Sequence, residues 1–192
     1  MGRMVYWMNV SLDLFIEGAP GEDGDGGWLR VGEELHREFN RRALDLSAMV
    51  QGRVVYEIME RSWPDIANDE SMPEYLQEYG RIWVDAPKVL VSRSRTEAGF
   101  NTRVMGGSDA IDQLARLRTT TDGDIGVGGA TVATQLLSAG LLDELLLFTH
   151  PVLLGSGRPL FDHVDRPIEC ELFERAEFEG GVTMQRYSIT SD

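Results

Sequence analysis

Three short segments carry residue types suited to holding phosphate. Gln51-Gly52-Arg53 and Val127-Gly128-Gly129-Ala130-Thr131 each lead from an apolar, strand-like stretch through glycine into a helix-like one. A helix N-terminus offers unpaired N–H groups and a partial positive charge, and glycine lets a phosphate approach that backbone closely. Two such turns in one sheet could hold both ends of a pyrophosphate, with Arg53 and Thr131 adding side-chain donors. The third segment, Ser92-Arg93-Ser94, follows the apolar run KVLV. Hydroxyl, guanidinium and hydroxyl suit a phosphate monoester on a ribose, and strand ends are where open α/β sheets bind ligands. Each segment also has a plainer reading, as turn chemistry or as a solvated loop. The late glycine run departs from the G-x-G-x-x-G fingerprint of a first βα turn, which disfavours an ordinary Rossmann dehydrogenase.

The elements that must position these segments follow from periodicity. Met4 to Val10 reads as a buried first strand, and the Gly-, Asp- and Glu-rich stretch from Glu17 to Gly27 as a loop. Gly32 to Leu46 reads as a helix with Leu35, Phe39, Ala43 and Leu46 roughly on one face. Ser47 to Gln51 is a short strand, and Arg53 to Arg61 a helix stopped near Pro64. Pro64 to Ala86 is irregular, and Lys88 to Ser92 is another buried strand. A helix capped by Ser108 or Asp109 turns Ile111, Leu114, Ala115 and Leu117 inward. Asp124 to Val127 is a strand, Ala130 to Ser138 a helix ended by Gly140, and Leu145 to Leu154 a long apolar strand. Glu169 to Ile189 forms two strands about a turn at Gly180-Gly181. The alternation implies an α/β fold in three layers, α/β/α, with a mostly parallel central sheet and a C-terminal antiparallel hairpin. No repeat or linker divides it, so residues 1–192 are read as one domain.

Composition narrows the function further. The 192 residues are 42% hydrophobic, enough for a packed core. The formal net charge of -14 disfavours nucleic acid and anionic membranes as partners. It also means that an anionic cofactor needs locally placed arginines. The single cysteine, Cys170, excludes an internal disulfide and cysteine-rich zinc sites, and the three histidines share no metal-ligand spacing. No metal is therefore expected. No signal peptide or membrane-length apolar run is visible, which points to the cytoplasm. His150-Pro151 in an apolar strand reads as structural.

At this point the sequence resembles the dihydrofolate reductase-like superfamily. The branch is the reductase domain of bacterial riboflavin biosynthesis (the RibD C-terminal domain) and its small stand-alone relatives. The resemblance rests on VSLDLFI, QGRVVYEIMERSWP, PKVLVSRS, IGVGGATVATQLLSAGLLDELLLFTHPVLLGSGRPLF and the closing strand pair. It implies NADPH as cofactor. Gly52 and Arg53 match the phosphate-binding turn, and Ser92 and Arg93 the grip on the adenosine ribose phosphate. Gly128 and Gly129 match a glycine pair, often joined by a cis peptide, that lies against the cofactor with Val127, Ala130 and Thr131. Val10 and Ile16 lie where the backbone holds the nicotinamide amide. Asp13 belongs to the SLDG motif beside the substrate. Three departures stand out: Leu14 replaces the glycine of SLDG, Val55 replaces a threonine, and Ala130 stands where some members carry a third glycine.

The resemblance implies reduction of a small molecule: a pteridine, a pyrimidine or a sugar-linked carbonyl or imine, as in 5-amino-6-(5-phosphoribosylamino)uracil reduction. In dihydrofolate reductases a carboxylate on the first helix serves the pterin. Here that helix offers Glu33, Glu34, His36 and Glu38, and the inward position falls on Leu35 or His36. His36 and Asp13 are the candidate proton-handling residues. Trp28 and Trp63 are candidates to line the substrate cleft, where an aromatic ring would stack on a heterocycle. The alternative is a nucleotide-binding module without catalysis, acting in regulation or partner binding. Stand-alone members often pair through the LLDELLLF strand and the closing hairpin, so a homodimer is expected.

Overall fold

The computed structural model describes residues 1–19 and 27–190. Most of the expected acidic loop, residues 20–26, lies outside the described residues. One eight-stranded sheet organises the chain, in the order β5-β4-β3-β6-β1-β7-β10-β9. Its strands are β1 (Arg3–Ser11), β3 (Leu46–Gly52), β4 (Lys88–Val91), β5 (Thr102–Met105), β6 (Asp124–Gly128), β7 (Glu144–His150), β9 (Cys170–Phe178) and β10 (Val182–Ile189). A separate two-stranded ribbon pairs β2 (Phe15–Gly18) with β8 (Gly157–Pro159). The six strands from β5 to β7 run parallel, and β10 and β9 close the sheet antiparallel. The expected mostly parallel sheet with a terminal hairpin is what forms.

Helices cover both faces, which is why β1 is apolar along its length rather than alternating. Met4, Tyr6 and Val10 of β1 pack with Leu114 and Leu117 of α4 (Ala110–Thr120) and with Val132, Ala133 and Leu136 of α5 (Ala130–Ser138). Val5 faces the other way, toward Leu35 and Phe39 of α1 (Glu33–Leu44). On that second face, Met49 and Leu90 meet Tyr56 of α2 (Arg53–Ile66) and Trp83 of α3 (Glu74–Asp85). Full burial of each such large apolar side chain contributes about 1.5–3 kcal/mol.

Several expected boundaries move. The helix expected to stop near Pro64 continues to Ile66, with Pro64 inside it. Proline there removes one helical N–H, but it falls in the last turn, where little helix remains to disrupt. The stretch expected to be irregular contains α3, entered from Pro73. At Gly80 a Cβ would lie 2.8 Å from the Ala67 backbone, so glycine lets α3 cross α2 closely. The apolar strand expected to reach Leu154 ends at His150. Strands β2, β5 and β8 are additions, each four residues or fewer.

Candidate functional site

Because six neighbouring strands run parallel, their C-terminal ends share one edge. Register fixes the neighbours there: Gly52 lies beside Val91, Gln51 beside Gly128, and Ser11 beside His150. The three phosphate-type segments, scattered over the sequence, thus leave adjacent strands β4, β3 and β6. The β1–β6 ladder ends at Tyr6 and Val127, while β1 runs on to Ser11 against β7. β6 ends one residue later, at Gly128, where the chain turns through Gly129 into α5.

At β4, the Ser92 hydroxyl accepts the N–H groups of Ser94, at 3.2 Å, and Arg95, at 2.9 Å, and so shapes the turn. Arg95 is held by Glu60. Arg93 is exposed, and no ion pair or hydrogen bond engages its side chain among the described residues. At β3, Gly52 is the N-cap of α2 and Arg53 its first residue; Arg53 pairs with Glu57 at 2.8 Å. Both α2 and α5 start from a glycine, so no side chain caps their first N–H groups.

The glycine pair of β6 is explained first by packing. A Cβ at Gly128 would sit 3.3 Å from Val55, and Gly129 has φ +104°, a conformation open to glycine. The peptide joining them is trans, as are all those among the described residues. The cis bond implied by the resemblance is absent, and the left-handed turn at Gly129 redirects the chain into α5. Thr131 is not free: its hydroxyl receives Arg158, at 2.7 Å, and donates to Asp162, at 3.0 Å, while Arg158 and Asp162 form an ion pair. Asp162 is tied in turn to α5 by its N–H to the Thr134 hydroxyl, at 2.9 Å. Arg158 thus places a guanidinium at the start of α5, which nothing in the sequence around GSGRPLF signals. Val10 is buried and Ile16 half-buried with the core of the α4–α5 face, and Ala130 is buried at the start of α5.

Asp13 works as a clasp. Its carboxylate accepts the Ser11 hydroxyl, at 2.6 Å, and the N–H groups of Leu154, at 3.1 Å, and Gly155, at 2.7 Å. The Ser11 hydrogen bond, then those two amides, hold the carboxyl at about 2 against desolvation. It is ionised at neutral pH and so carries no resting proton to donate, which favours a role as hydrogen-bond acceptor. Beside it, Leu14 is 49% exposed with φ 61°, the left-handed conformation that the replaced glycine would adopt without strain.

His36 is not a surface histidine; it sits in the first turn of α1. It is buried on α1, bonded to Asn40 at 3.2 Å and ringed by Phe39, Trp63, Tyr75 and Tyr79. Burial pushes its pKa down. Trp63 belongs to the same cluster, with its ring 4.5 Å from Tyr79. Trp28 is 8% exposed and edge-on to His150 at 5.4 Å. The two tryptophans expected to line one cleft have different ring partners, and the Trp28 ring is covered. His150 is fully buried: Nδ1 accepts the Arg30 N–H at 2.9 Å, leaving Nε2–H to donate to Asn9 at 3.0 Å. Burial, then the charge of Arg30, lowers its pKa to about 4. Among the described residues, no cluster of ligands suits a metal, and no helix is long and apolar enough to cross a membrane.

Comparison with known proteins agrees with this architecture. The chain is 26% identical over 186 residues to YyaP, an uncharacterized protein of Bacillus subtilis (strain 168), covering 96% of this chain and 94% of YyaP. A protein of Shewanella sp. PV-4, provisionally named for riboflavin biosynthesis, superposes with a TM-score of 0.73 at 18% identity over 100% of both chains. Dihydrofolate reductase from Enterococcus faecalis, solved with NADP(H), gives a TM-score of 0.63 at 14% identity over 99% of this chain and 98% of that one. At such identities the two structures speak for a shared dihydrofolate reductase-like fold. The family model of the RibD C-terminal domain matches residues 4–184, nearly the whole length, and the chain belongs to that family.

Proposed function

We propose that this protein binds a nicotinamide dinucleotide, NADPH in preference to NADH, along the C-terminal edge of its parallel strands and reduces a small molecule there. The observation that carries the reading is Arg93. In a chain of net charge -14, it is an exposed guanidinium at a strand end with no carboxylate partner among the described residues. Two uncapped helix starts, at Gly52 and Gly129, stand on the neighbouring strands. These features fit the phosphates of a dinucleotide: backbone N–H groups for the pyrophosphate, Arg93 and Ser92 for a ribose phosphate. Membership of the RibD C-terminal family supports a reductase-like role, and the Enterococcus faecalis neighbour was solved with NADP(H).

The bound cofactor supplies hydride; the chain supplies position and charge. Val10 and Ile16 would flank the nicotinamide, and Asp13, ionised, would orient a donor group of the substrate. The proton comes from water in this reading, because Asp13 is ionised and His36 and His150 are buried and bonded within the fold. We propose as substrate a pteridine, a pyrimidine or a sugar-linked carbonyl or imine. That commitment of Asp13, His36 and His150 to contacts within the fold also favours the second reading, a nucleotide-binding module without catalysis. Substrate-dependent loss of NADPH absorbance separates the two.

The cofactor reading has its own test. Arg93→Ala removes a charge-assisted hydrogen bond of roughly 1.5–3 kcal/mol, so NADPH affinity should fall about 10–150-fold while NADH affinity holds. Fluorescence titration of both cofactors measures this. Equal losses for the two would argue against Arg93 as the phosphate grip.

A further inference from the structure

We infer that Gln51 is a ligand-reading residue: its side-chain amide oxygen accepts a hydrogen bond from a hydroxyl or amide N–H of a ligand lying between the Gly52 and Gly128 turns. The inference rests on the dinucleotide reading above and deepens it.

Gln51 is the last residue of β3 before the Gly52 turn and is 6% exposed. Its Oε1 is buried and has no hydrogen-bond partner among the described residues. A buried acceptor without a donor destabilises the fold, and the positions around it show that a polar residue is not required there. Met49 precedes it on the same face of β3, and Leu90 of β4 and Gly128 of β6 are its register partners. Methionine would fill a similar volume with no polar atom to satisfy. The chain instead keeps a carboxamide at the one position flanked by both glycine turns.

The local geometry shows why the amide finds no partner within the protein. Its Cγ is 4.0 Å from where a Gly128 Cβ would be, so the side chain runs over a residue with no side chain of its own. Val55, 3.3 Å from that same point, is apolar and offers no donor. A ligand spanning the Gly52 and Gly128 turns would have to pass Gln51, which lies between them in the sheet register. The chemistry of an orphan acceptor then selects the ligand group. A phosphate at neutral pH presents only acceptors and would repel Oε1. A ribose hydroxyl or a carboxamide N–H donates and completes it.

The test is Gln51→Met, studied beside wild type and Arg93→Ala in NADPH titrations and ligand-free thermal unfolding. The expected result is an unfolding midpoint equal to or above wild type, with NADPH affinity about tenfold weaker, equivalent to about 1.4 kcal/mol. A midpoint several degrees lower would overturn the inference, since the amide would then serve the fold. So would unchanged NADPH affinity in Gln51→Met while Arg93→Ala weakens it, because the dinucleotide would bind without passing the amide. Wild type that fails to bind NADPH ends the dinucleotide reading itself, and the inference with it. That outcome is read from the wild-type titration alone and is distinct from the other two.

Discussion

His150 illustrates how a single side chain can couple the edge of the sheet to pH. Its folded pKa is about 4 against 6.5 for the free side chain, because burial and Arg30 disfavour the imidazolium. Between those values the unfolded chain binds a proton that the fold refuses. The stability His150 allows is therefore complete above about pH 6.5 and is lost as pH falls toward 4, by up to about 3 kcal/mol. Urea midpoints at pH 7.5 and 4.5 should differ more for wild type than for His150→Gln; equal pH dependence would mean that His150 does not titrate in this window. Asp13 acts lower on the scale. Its carboxyl is depressed from 3.8 to about 2, so its contribution is complete above about pH 3.8 and is lost as pH falls through 2. The sequence alone singled out Asp13 and read His150 as structural, but the partners that decide both roles lie far along the chain, at Leu154, Gly155, Asn9 and Arg30. Arg158 shows the same blindness: nothing local to GSGRPLF says that its guanidinium meets Thr131.

Among the elements, the clasp between the β1–β2 turn and the segment after β7 is the one most exposed to a single change. Leu12 N–H bonds the Val152 carbonyl at 2.8 Å, Leu160 N–H the Leu14 carbonyl at 2.9 Å, and Asp13 binds two further amides. Asp13→Asn keeps one acceptor oxygen and loses the other, so the 151–156 segment should loosen. Faster proteolysis within it, with β1 and β7 still protected from hydrogen exchange, is the expected pattern; uniform protection across the segment would count against the clasp. The long elements were legible because their apolar spacing is helical or continuous: β1, β3, β6 and α5 fall within about a residue of expectation. The missed ones have identifiable causes. Helix α3 carries its signal as aromatics at Tyr75, Tyr79 and Trp83, diluted by Gly80 and by the nearby Pro64 and Pro73. Strands β2 and β8 exist only because their chain segments meet, and each is too short to show a period.

At the scale of the whole molecule, the sheet ends in an edge. β9 pairs with β10 on one side only, and Leu172 and Phe173 on it are 45% and 52% exposed. An uncovered edge with apolar side chains favours pairing with another strand, and we propose a second copy of this chain as the partner. The net charge of -14 opposes that association, so the dimer should strengthen with salt as repulsion is screened. Light scattering across a salt series tests this. A mass that stays near 21.4 kDa at micromolar concentration and high salt would argue for a monomer.

The place of β1 also imposes a timetable. It is made well before its partners, residues 124–127 of β6 and 144–150 of β7. A growing chain cannot complete the centre of this sheet until synthesis has reached His150. At ordinary synthesis rates the apolar run from Met4 to Val10 waits on the order of ten seconds for a neighbour. Closing loops that long is also slow once the chain is free, because the entropy of closure is lost before the contacts form. The strand that anchors the candidate site is thus the one most in need of protection while the protein is being born.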